Sequence, residues 1–156
     1  MSESADLFRL FHSILRWLIL FSVGTAGFVA LIGYLRRTPI IVWERSLTII
    51  AMVLCHIQLV FGLILYAIRF KSYAEHTLRG FQTPLSQTVR TYWKFEHIGM
   101  MIIAIALVTV GRIVSKKAKT EPGKQLRIAI FYLIAWLMMV LMTPWPFREG
   151  IGRAWL

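Results

Sequence analysis

Four long apolar runs, separated by polar and basic connections, organise the chain. Leu18 to Leu35 and Ile98 to Gly111 carry no charge, and neither does Ile128 to Phe147. Ser46 to Ile68 holds one histidine and one glutamine among otherwise apolar or small residues. A helix crossing the hydrocarbon of a bilayer needs about 20 mostly apolar residues. The runs therefore predict spans over about residues 10–35, 46–70, 93–114 and 126–142. The expected fold is all-α: a polytopic membrane protein, one four-transmembrane-helix bundle over residues 1–156. Pro39 ends the first helix inside "RRTPIIVWER", and "SKKAKTEPGKQLR" is a polar turn between the third and fourth spans. "KSYAEHTLRGFQTPLSQTVRTY" is a longer connection with room for a short surface helix. "TPWPFREGIGRAWL" breaks the last helix at Pro144 and Pro146 and is rich in interfacial tryptophan.

Charge changes the reading of partners but not of fold. The 156 residues are 58% apolar, yet the net charge is +11. Lys and Arg gather at span ends and in connections, where they meet lipid headgroups, and no nucleic-acid motif accompanies them. The partner implied is the bilayer, not nucleic acid. Cys55 is the only cysteine and lies mid-span, which excludes a disulfide framework and a thiolate cluster. "MSESADLFRL" lacks a basic leader, so the first span reads as retained rather than cleaved. The densest positive cluster, Lys116 to Arg127, follows the third span. It assigns that side to the cytoplasm and places both termini outside.

Against this apolar background the ionisable groups inside the spans stand out. Apart from Arg69, Lys94, Arg112 and Arg127 at the span ends, they are His12, Arg16, His56, Glu96 and His97, and such groups are functional candidates because lipid penalises them. Imidazole is neutral near pH 7 and binds metals through one ring nitrogen. Histidines on facing helices are one way to hold haem iron. Depth bears on which histidines pair. His12 follows Arg9 by three residues and His97 follows Lys94 by three, so on that ruler the two lie level near the outer face. His56 lies thirteen residues before Arg69, about 20 Å along a helix, near the middle. A ruler laid from the inner charges, Arg45 and Arg112, pairs His56 with His97 instead. The third span can continue helically past Arg112 to Lys116, however, so His12 and His97 are the expected iron ligands, with His56 as the alternative. His76 belongs to the long connection and is expected at the surface, so the histidines allow one bis-histidine haem at most. Met100 and Met101 read as packing residues.

The neighbours sort around that candidate. Arg9 is placed to meet a haem propionate. Arg16, one turn deeper than His12, either pairs with Glu96 or extends to the headgroups, and the pair with Glu96 beside the macrocycle is the expectation. Gly24 and Gly27 continue the His12 stripe, either leaving room for a flat macrocycle or packing helices closely. Gln58, Gly62 and Tyr66 form a stripe on the second span that suits a quinone headgroup or a helix–helix hydrogen bond. The fourth span has no charge after Arg127 and reads as a packing helix without a ligand.

"FHSILRW", "HIQLVFGLILY", "EHIGMMIIAIALVTVGR" with its following lysines, and the terminal "PWPF" resemble a family of small bacterial four-helix membrane proteins usually labelled cytochrome b. The resemblance covers all four spans and is lost over residues 71–90. It implies a haem b protein of the bacterial cytoplasmic membrane that passes electrons, with motif histidines at His12, His56 and His97. A looser similarity to one half of haem A synthase concerns architecture alone. Electron exchange with quinol or other respiratory membrane subunits is the expectation. Two other classes fit the same residues: a copper- or zinc-handling protein using the histidines, and a cofactor-free structural subunit. Without a nucleophile–base pair or a nucleotide loop, an independent enzyme is not expected.

Overall fold

A computed structural model of the chain describes residues 3–74, 87–149 and 151–152. Helix α1 is Glu3–Arg36 and α2 is Val42–Ala74. A short α3, Gln87–Thr91, runs through one π-helical segment, Tyr92–Glu96, into α4, His97–Lys116. Helix α5 is Glu121–Met142. Among the described residues there is no strand, and four stretches are long and apolar enough to cross a membrane: Asp6–Arg36, Val42–Ile68, Gln87–Lys116 and Glu121–Met142. The helices overrun the apolar runs because their ends reach into the headgroup zone, where charged residues are tolerated. The third span begins before Trp93, since α3 is continuous with it. His76 lies outside the described residues, as does most of the long connection.

Local chemistry closes the two short connections. Helix α1 ends with Arg37 in the left-handed region at φ 56. The Thr38 amide donates to the Gly33 carbonyl and the Arg37 amide to that of Tyr34, a Schellman pattern that satisfies the last carbonyls. Helix α5 starts at Thr120, whose hydroxyl accepts from the Gly123 amide at 3.2 Å, with Pro122 in the first turn, where no amide is missed.

Helix α1 packs on α2 and α5, and α4 packs on α5 and α2. The ring order is thus α1, α2, α4, α5, with α1 and α4 on the diagonal. Small residues line the axis: Ala26, Ala30, Ala51, Ala104, Ala129 and Ala135 are buried with Val23 and Val108. Without a hydrophobic drive between helices in lipid, close backbone approach and hydrogen bonds hold such a bundle. The bonds are side-chain donors on neighbouring backbones. Gln58 Nε2 donates to the His12 carbonyl at 2.8 Å, and Trp136 Nε1 to that of Leu20 at 2.9 Å. The Tyr132 hydroxyl donates to the Thr48 carbonyl at 2.8 Å, and that of Tyr66 to Lys94 at 3.2 Å. Gly24 and Gly27 face α5: a Cβ on either would meet Trp136 or Leu133. Close packing therefore explains both.

Candidate functional site

The site begins where α5 stops. A helix end leaves four carbonyls without intrahelical donors, and Pro144 and Pro146 keep the chain from supplying them by continuing the helix. The terminal segment caps three of the four. The Thr143 hydroxyl donates to Met139 O at 2.8 Å, Trp145 Nε1 to Val140 O at 2.8 Å and Arg148 to Leu141 O at 3.1 Å. Met142 O remains, and the third span satisfies it. The Tyr92 hydroxyl donates at 2.6 Å and His97 Nδ1–H at 3.1 Å.

The π-helical segment makes this double bond possible. The His97 amide donates to the Tyr92 carbonyl, five residues back, so one wide turn brings both side chains to the same face. Their rings sit 5.9 Å apart, and the Trp93 ring lies 5.7 Å from the His97 ring. Fixing Nδ1–H on a carbonyl sets the tautomer of His97: Nε2 keeps its lone pair.

Across the bundle, on the diagonal helix, stands His12. Both histidines line one cavity of about 300 Å³ with Arg9, Arg16, Gln58, Tyr66 and Met101. His12 Nδ1 is buried with no hydrogen-bond partner. Its ring leans on Gly62, where a Cβ would stand 3.2 Å from Cε1. Glycine at that position lets the imidazole lie against α2. Arg9 is largely exposed at the mouth and pairs with Asp6 at 3.6 Å, while the Arg16 guanidinium lies 5.2 Å from the Trp17 ring centroid.

Two residues singled out in the sequence lie elsewhere. His56 is exposed on the outside of α2, with Nδ1–H donating to Met52 O at 2.8 Å and Nε2 at 3.5 Å from the Thr109 hydroxyl. Glu96 is exposed too, does not line the cavity and forms no salt bridge to Arg16. The reason is angular. Adjacent helical residues diverge by about 100°, so turning His97 inward turns Glu96 away.

Tyr92, Trp93 and the Met142 carbonyl carry the geometry but escaped the sequence reading. The usable signal was "TPWP", which marks a helix end whose carbonyls need donors. Among the described residues, no three His, Cys, Asp or Glu side chains converge as an ion site would need. A bis-imidazole site needs only two. The residue types present fit a haem in that respect: two imidazoles from diagonal helices and two arginines line one cavity, and His12 has a buried nitrogen without a partner. Compared with family models, curated proteins and solved structures, the chain matches none.

Proposed function

We propose that the protein is a b-type cytochrome of a bacterial cytoplasmic membrane that carries electrons on a single haem b. One observation carries this reading: His12 and His97, on diagonal helices, open onto the same cavity, and the Met142 carbonyl holds His97 so that Nε2 is available. His12 and His97 would hold the haem iron, and Arg9 and Arg16 would offset the propionate charge. Bound there, haem supplies a one-electron couple. The chain's own work is to fix the two imidazoles, exclude water with the Trp93 and Tyr92 rings, and hold Arg16 beside the ligands. Gln58 and Tyr66 line the same cavity and suit exchange with a quinol headgroup or another respiratory membrane subunit. The Lys116–Lys124 end faces the cytoplasm in this reading, with both termini outside.

The test is the visible spectrum of the purified protein. A Soret band with split alpha and beta bands on dithionite reduction is the expected result. Protein that carries copper or zinc in place of haem, or no cofactor when expressed with ample haem supply, would overturn the proposal. Orientation is tested separately by labelling Lys119→Cys in a Cys55→Ala background, which should resist impermeant thiol reagents in intact cells.

A further inference from the structure

At the opposite end of the bundle lies a second cavity, of about 410 Å³, with quite different chemistry. Four cations line it, Arg45, Arg112, Lys116 and Lys124, against the single carboxylate of Glu44. Arg112 is the deepest of them, 9% exposed, and its Nε is buried without a hydrogen-bond partner. No salt bridge reaches Arg112 among the described residues.

The nearby acceptors are already engaged. The Glu44 carboxylate accepts from the Ile41 amide at 3.0 Å and from Gln125 Nε2 at 3.4 Å. That of Glu121 accepts from Lys124 and from the Ile40 amide at 3.2 Å. A guanidinium held from water without a counter-charge is unfavourable. Its planar set of N–H donors matches a phosphate or a carboxylate, and four cations around one cavity favour the more highly charged phosphate. The first turns of α2 and α5, which contribute Glu44, Arg45, Lys124 and Gln125, also direct their positive dipole ends to this region.

We infer that this cavity is a binding site for a phosphate group, with Arg112 as its buried contact and Arg45 at its mouth. The phosphate belongs either to an anionic phospholipid headgroup or to a small soluble phosphate; both present the same oxygens to Arg112. This goes beyond an orienting role for the basic residues, because exposed Lys117 and Lys119 serve that role without forming a cavity.

The test measures binding to the full chain in neutral detergent, with inorganic phosphate and short-chain phosphatidylglycerol as separate probes. Arg112→Lys and Arg45→Gln should each weaken binding about tenfold or more, as loss of a charged hydrogen bond does. Lys117→Gln/Lys119→Gln, which removes more charge outside the cavity, should change it less than about fivefold. Binding of phosphate by itself identifies a soluble ligand, whereas binding of phosphatidylglycerol but not phosphate identifies a headgroup; either supports the site. If Arg112→Lys fails to fold, Arg45→Gln against the lysine pair decides. The inference is overturned if wild type binds neither probe, or if the lysine pair loses as much affinity as the arginine variants.

Discussion

His97 Nδ1 lies 3.1 Å from the carbonyl oxygen of Met142, the last residue of α5. A helix that contains no histidine thus governs the orientation of one on its neighbour. The link depends on Pro146, which has no amide to give that carbonyl, and on Pro144, which stops the helix before it.

Pro144→Ala/Pro146→Ala should therefore disturb His97 from a distance. With both prolines gone, α5 can continue, and the new amide at position 146 competes for Met142 O. Helical ellipticity should rise slightly while the low-spin haem spectrum becomes mixed or is lost. An unchanged spectrum with increased helicity would sever the proposed link.

Tyr92→Phe removes the other donor to Met142 O. Loss of one such bond destabilises by about 1 kcal/mol. The His97 imidazole then has the carbonyl to itself and would be a stronger donor to a haem iron held there, so the midpoint potential of haem-loaded protein should fall. Redox titration beside thermal unfolding separates the two effects.

Gly62, which lines the cavity, and Gly99, which does not, give a paired test. A Cβ at Gly62 meets the His12 ring at 3.2 Å, whereas at Gly99 it meets nothing within 4 Å. Gly62→Val should destabilise by about 1–3 kcal/mol and perturb the spectrum through His12. Gly99→Ala should stabilise by about 0.5–1 kcal/mol through helix propensity and leave the spectrum alone.

Glu96→Gln is expected to be nearly silent, within about 0.5 kcal/mol, because the carboxylate is exposed and holds no ion pair. A loss of several kcal/mol on thermal unfolding would show that it reaches Arg16 after all.

Glu96 also shows where sequence legibility ends. The four spans could be read because hydropathy over 20 residues depends on length and composition, which the chain states outright. Counts from Arg9 and Lys94 grouped His12 with His97, and the two line one cavity, whereas counts from Arg45 and Arg112 grouped His97 with His56, which does not line it. Azimuth could not be read. Spans apolar on every side give no stripe to mark the inward face, so Glu96 and His97 looked equally internal. The π-helical turn shifted the register again, placing Tyr92 with His97 five residues on. The mid-span position of His56 said nothing of which way it points, and it satisfies itself on Met52 O. The phosphate cavity was hidden for another reason. Its lysines and arginines come from three helices and, along the chain, look like ordinary headgroup contacts.

The central claim, that His12 and His97 hold a single haem, is tested most directly by dithionite-reduced spectra of wild type, His12→Ala, His97→Ala and His56→Ala recorded together. Wild type and His56→Ala should show the same split low-spin bands. His12→Ala and His97→Ala should each lose haem or retain only a high-spin, five-coordinate form. Loss of the bands in His56→Ala with retention in His12→Ala would contradict the account.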